Sequence, residues 1–179
     1  ENYESVSKRV KRYLDFGKFE GIHFDIERPH DWFKEDNKIA LEFLGNLKKL
    51  KEEYPDADIS LDVPFWLDTH EESAPFEFDG QVDLFSSHLR KYTSFLTIMD
   101  YNDNGENMVK FASNEMGEGP TVIGIEFSPV EEAETVTFYE ENKEYFDSQI
   151  SIVEREFEGN NNFKGFAFHY YKTFASWNS

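Results

Sequence analysis

Apolar residues recur along the chain with two periods, and the switching between them predicts its elements. Over residues 5–15, Val6, Val10 and Leu14 stand four apart, the spacing of one helical face, and Gly17 ends that stretch. Residues 20–27 then alternate polar and apolar with a period of two, which predicts a strand. The helical period returns over 36–53, where Ile39, Phe43, Leu47 and Leu50 form a stripe that Pro55 stops. The run 58-DISLDVPF-65 reads as a strand broken by Pro64, 81–91 as a short helix, and 94-SFLTIMDY-101 as a strand. A helix over 106–116 ends at Gly117, and 120-PTVIGIEF-127 is again a strand. The segment 134–157 is amphipathic, with Tyr139, Phe146, Ile150, Val153 and Phe157 on one face. After the turn 159-GNNN-162 comes a last strand, 163-FKGFAFHYY-171, whose Phe166 and Phe168 should face the helices as core.

Strands separated one by one by helices signal an α/β fold with a parallel sheet. A doubly wound open sheet and a (β/α)8 TIM barrel both fit. The placement of polar residues favours the barrel: Asp25, Glu27, Asp62, Tyr101, Glu126 and His169 all fall at the C-terminal ends of their strands, the rim where a barrel builds its site. No Gly-rich phosphate loop follows any strand, which weakens a nucleotide-binding reading. The expectation is a single α/β domain over 1–179, an incomplete TIM barrel holding about strands 4–8. Its exposed edges would then be covered by another segment or chain. A complete five-stranded open sheet is the competing reading.

Composition narrows the partners. The 179 residues carry a net charge of −19, and a chain so acidic lacks the basic face that nucleic acid or an anionic membrane requires. The absence of cysteine removes disulfides, zinc thiolates and thiol nucleophiles and leaves the compartment open, with an extracellular or cell-surface location preferred. No apolar run reaches the roughly 20 residues of a membrane span, so membrane insertion is not expected. The chain opens at Glu1 without an initiator Met or a signal segment, as a processed or partial polypeptide would.

Candidate chemistry gathers in 19-FEGIHFDIERPHDWF-33. His23, Asp25 and Glu27 share one face of the predicted strand, opposite Ile22, Phe24 and Ile26. Two carboxylates this close push one pKa upward, which keeps an acid protonated near neutral pH. Satisfaction of buried polar contacts inside a barrel is the structural alternative. The run 20-EGIHFDIERP-29 resembles the strand-4 signature of glycoside hydrolase family 18, the chitinase-like (β/α)8 barrels, which reads Asp-x-x-Asp-x-Asp-x-Glu and is often followed by Tyr-Pro. Asp25, Glu27 and Pro29 match it, while Glu20 and His23 stand where that family has aspartates. The run 99-MDYND-103 is similar to the family's Met-x-Tyr-Asp, with Asn102 in place of the aspartate, and His169 occupies about the place of a tryptophan beneath the bound sugar. The resemblance implies Glu27 as the general acid on the glycosidic oxygen. Asp25 would assist the substrate's own N-acetyl nucleophile, and Tyr101 would bond the same acetamido oxygen. A carbohydrate is the ligand it implies, with no cofactor and no metal.

Two further readings stay open. Glu27 and Glu126 could form the pair of a retaining glycosidase, with Gly124 leaving space beside Glu126, although the Asn-Glu pair of that clan is absent. The departures at Glu20, His23, Asn102 and His169 suit a carbohydrate-binding barrel without catalysis. His23, Asp62, Trp66, Asn102, Glu126, His169 and Tyr171 are the expected substrate contacts. Trp32, Trp66 and Trp177 fall just past strands, where they either stack on sugar rings or cap hydrophobic layers. The segment 100-DYNDNG-105 copies the start of a calcium loop but lacks its closing glutamate and reads as a turn. His30, His70 and His88 show no ligand spacing and are expected on loops or surfaces.

Overall fold

The computed structural model describes residues 3–25, 29–69, 73–130 and 134–177. Helix α1 (Tyr3–Asp15) leads into strand β1 (Gly21–Phe24), followed by a short α2 (Pro29–Trp32), α3 (Lys34–Glu53) and β2 (Asp58–Pro64). A hairpin of β3 (Phe76–Phe78) and β4 (Gln81–Asp83) precedes α4 (Phe85–Arg90) and β5 (Phe95–Met99). Then come α5 (Gly105–Glu118), β6 (Thr121–Glu126), a 3-10 turn (Glu134–Val136), α6 (Lys143–Glu156), β7 (Phe163–His169) and α7 (Tyr171–Trp177). The fold is mixed α/β, with a five-stranded parallel sheet in the order β1-β2-β5-β6-β7. Among the described residues that sheet is not closed. The chain divides into two compact units, residues 1–96 and 97–179. Among the described residues no helix is long and apolar enough to cross a membrane.

In the first unit the period-two pattern of β2 does what it predicts. Ile59, Leu61 and Val63 are fully buried on one face, and Ser60 and Asp62 lie on the other. The buried face of α3 is Ala40, Leu44, Leu47 and Leu50, whereas Ile39 is exposed. The predicted stripe thus holds only in its C-terminal half. Glu35, Asp36 and Asn37 have positive φ inside α3, which breaks the regular helix before residue 38 and resets its phase. Trp32 is buried, stacked on Phe43 and edge-on to Phe85 with ring centroids 4.8 Å apart, so it closes the hydrophobic layer and lines no cleft.

The helix expected over 81–91 is a strand and a shorter helix. Asp79 (φ 53°) and Gly80 (φ 75°) make the left-handed pair that a two-residue hairpin demands, and this turn fixes β3 against β4. His88 departs from its expected surface position, because α4 buries it completely. Its Nε2–H donates to the Phe76 carbonyl at 3.0 Å, and the Lys91 ammonium donates to Nδ1 at 3.2 Å. The ring ties α4 to the hairpin. Replacing His88 by alanine removes that bond and opens a cavity beside Phe76 and Phe78, so urea denaturation should show a loss of about 2–4 kcal/mol.

In the second unit Met108, Ala112 and Met116 of α5, Ile123 and Ile125 of β6, and Phe146 and Val153 of α6 are buried. The long helix expected from 134 begins only at Lys143, capped by Asn142, whose side chain accepts from Tyr145 N–H at 2.9 Å. Upstream, tertiary bonds hold the backbone out of a helix. Phe138 N–H donates to the Glu126 carbonyl at 3.0 Å, and Thr137 Oγ1 donates to the Ser128 carbonyl at 2.8 Å. Tyr139 is consequently exposed rather than part of the apolar face. Helix α7, unpredicted from the sequence, lays Phe174 flat on Phe168 at 4.4 Å. Trp177 packs on Phe127 and Phe146 and donates from Nε1 to the Glu141 carbonyl at 2.9 Å, so it caps the apolar layer.

Candidate functional site

Strand register assembles the polar cluster of the first unit. Parallel pairing of β1 with β2 sets His23 opposite Ser60, and alternation then brings Asp62 to the same ring. His23 Nε2 lies 2.9 Å from Asp62 Oδ1, and Nδ1 lies 2.7 Å from Ser60 Oγ. Donation from Nε2–H to the carboxylate leaves Nδ1 of the neutral ring to accept the Ser60 hydroxyl proton. The hydrogen bond to Asp62 raises the His23 pKa; partial burial opposes it, and the charges of Asp62 and Asp25 add to the rise. Phe95 lies parallel to the ring, centroids 6.4 Å apart. Both nitrogens of His23 are therefore occupied.

Asp25 is exposed, one residue past β1. Glu27 lies outside the described residues, as do Ile26 and Arg28. Trp66 is half-buried in the turn after β2, where its carbonyl accepts from Thr69 N–H at 3.1 Å.

The second unit gathers Tyr101, Glu126 and His169. Parallel register sets Glu126 opposite His169 at the ends of β6 and β7. The Glu126 side chain is 9% exposed and held at both oxygens. Oε1 accepts from the backbone N–H of Phe127 at 2.8 Å and of Ser128 at 2.6 Å, and Oε2 lies 2.7 Å from His169 Nδ1. His169 is largely exposed, its ring lying near-parallel to Tyr101 with centroids 6.2 Å apart. A Cβ on Gly124 would stand 3.0 Å from the Ile98 carbonyl oxygen and 3.6 Å from Tyr101 Cε1, so the glycine keeps the space next to Tyr101.

Other expected contacts are placed differently. Asn102 Oδ1 accepts from Asn104 N–H at 3.0 Å and Asn107 Nδ2 at 3.4 Å, shaping the turn into α5. Tyr171 is 74% exposed on α7.

Two further residues emerge: Ser60, which the sequence did not single out, and Asp100, which it read only as part of a calcium-like turn. Ser60 was visible only as a polar residue two before Asp62, and its link to His23 needs the register. Asp100 follows Leu96 and Ile98 on the parity of the helix-facing side chains and is fully buried. Neither of its carboxylate oxygens has a hydrogen-bond partner, and burial pushes its pKa up to about 8. It thus keeps its proton near pH 7.

Comparison with protein-family models, curated proteins and solved structures finds no match to the chain.

Proposed function

We propose that the chain is the C-terminal part of a (β/α)8 glycoside hydrolase-like barrel, completed by another segment or chain, that binds a carbohydrate at its strand ends. In this reading Glu27 is the general acid and Asp25 assists the substrate's acetamido group. The supporting observation is the exposed Asp25 at the end of β1, beside a hydrogen-bonded His23–Asp62–Ser60 cluster that fixes its polar surroundings. Such a rim of directional donors and acceptors suits sugar hydroxyls, and the half-buried Trp66 supplies an apolar face nearby in the chain.

One observation favours a second reading, carbohydrate binding without turnover. His23 stands where the resembling family has an aspartate, and it is held between Ser60 and Asp62. The exchange removes the second carboxylate that would push an acid's pKa upward, and with it a means of keeping that acid protonated. The retaining pair of Glu27 and Glu126 is the least supported, because three hydrogen bonds already engage the Glu126 carboxylate.

Turnover of aryl-glycosides and chitooligosaccharides separates the readings. Under the leading one, Glu27→Gln and Asp25→Asn each lower turnover by about a hundredfold while binding by calorimetry persists. Binding by the unmodified chain with no turnover establishes the second reading, and turnover unchanged in Glu27→Gln removes the role given to that residue.

A further inference from the structure

The two histidines differ in one respect that determines what each can do. His23 has both ring nitrogens occupied, by Ser60 and Asp62, and has no lone pair left for a ligand. His169 has one. Its Nδ1 is held by Glu126, and among the described residues Nε2 has no hydrogen-bond partner, while 59% of the side chain is open to solvent.

The carboxylate dictates the tautomer. Glu126 is buried and fixed by two backbone N–H groups, so it is an acceptor that neither moves nor donates. His169 must present Nδ1–H to it, and in the neutral ring this leaves Nε2 as a lone pair directed away from Glu126. Tyr101 holds one side of the ring and the adjacent Tyr170 lies 5.8 Å away, so the ring's orientation is set as well as its proton. A carboxylate that fixes a histidine through one nitrogen to present the other is the arrangement proteins use for proton acceptors and ligand contacts.

The geometry points to His169 Nε2 as a hydrogen-bond acceptor for a ligand hydroxyl, with Glu126 as the residue that positions it. Glu126 then touches no ligand itself and acts only through the imidazole. The hydroxyl donates to Nε2 while Nδ1–H donates to Glu126, and the polarised chain strengthens both bonds. The ligand class, a polyhydroxylated carbohydrate, rests on the reading in the preceding subsection; the positioning of His169 by Glu126 does not.

Nitrogen NMR of chain labelled with 15N-histidine tests both parts, with His169→Gln identifying the resonances. The unligated chain should show His169 in the Nδ1–H tautomer, and Glu126→Gln should shift the tautomer ratio toward Nε2–H by about tenfold or more, the equivalent of one charge-assisted hydrogen bond. An Nε2–H tautomer in the unmodified chain, or a ratio unmoved in Glu126→Gln, overturns the positioning role whether or not any sugar binds. Adding chitotetraose should displace the Nε2 resonance, and His169→Gln should weaken its binding about tenfold. Chitotetraose that binds with Nε2 unmoved overturns the acceptor role. If chitotetraose does not bind, the acceptor role toward carbohydrate falls together with the preceding reading, and the tautomer alone decides the positioning.

Discussion

Replacing Asp100 by asparagine should make the protein progressively more stable than the unmodified chain as pH rises from 4 to 8. The carboxyl is fully buried without a hydrogen-bond partner, and burial alone raises its pKa from 3.8 to about 8. In the unfolded chain the group loses its proton near 4, while the folded chain holds it until about 8. Between these values the native state binds more protons, so the contribution of Asp100 to stability falls as pH rises. Below 4 both states are protonated and the carboxyl carries no ionisation penalty. By pH 7 the penalty reaches roughly 4 kcal/mol, at about 1.4 kcal/mol per pH unit. Asparagine keeps the shape and does not titrate. Urea denaturation of both chains at pH 5, 6.5 and 8 should therefore show a stability difference that grows toward the variant at each step. A difference independent of pH would mean that Asp100 is solvated or paired in the native state.

Asp100 also shows where the sequence stops being legible. Its neighbours in 94-SFLTIMDY-101 identify a strand, and parity along that strand places it with Leu96 and Ile98, yet a carboxylate on a buried parity is normally read as the strand's end. The alternation of β2 could be read without ambiguity, because Ile59, Leu61 and Val63 leave no other face for the core. Strands β5 and β6 are clear for the same reason, whereas no residue of β7 is buried and Phe168, expected in the core, is 37% exposed. The hairpin was hidden because Asp79-Gly80 joins strands of only three residues, too short to show a period. Residues 134–142 keep a helical pattern, but bonds from Thr137 and Phe138 to segments distant in sequence override it. Of the site, the residue types were legible and the pairings were not: Ser60 reaches His23, and Glu126 reaches His169, only through the register of paired strands. Glu27, the central residue of the sequence reading, lies outside the described residues and keeps its role as a proposal.

The largest stability loss in the second unit is expected from Phe127→Ala. Phe127 is fully buried and touches five other rings: Phe138, Phe146, Phe168, Phe174 and Trp177, with centroids between 4.9 and 6.0 Å. These rings come from α6, β7, α7 and the loop after β6, so one side chain joins four segments of this unit. Truncation to alanine should cost about 4–5 kcal/mol, the upper part of the range for a core aromatic, because large rings cannot close around the void. Leucine fills part of the volume and should cost roughly half as much. Trp177 is in the cluster, so its fluorescence reports the loosening directly and should shift toward the red in Phe127→Ala under native conditions. The effect should reach the site through the backbone. Phe127 N–H donates to Glu126 Oε1 and to the His169 carbonyl, so the same residue anchors the carboxylate that orients the imidazole. Phe127→Leu retains the backbone bonds and should preserve the His169 tautomer, whereas Phe127→Ala should broaden or redistribute its nitrogen signals. Identical His169 spectra in all three chains would show that the aromatic core and the Glu126–His169 pair are energetically independent.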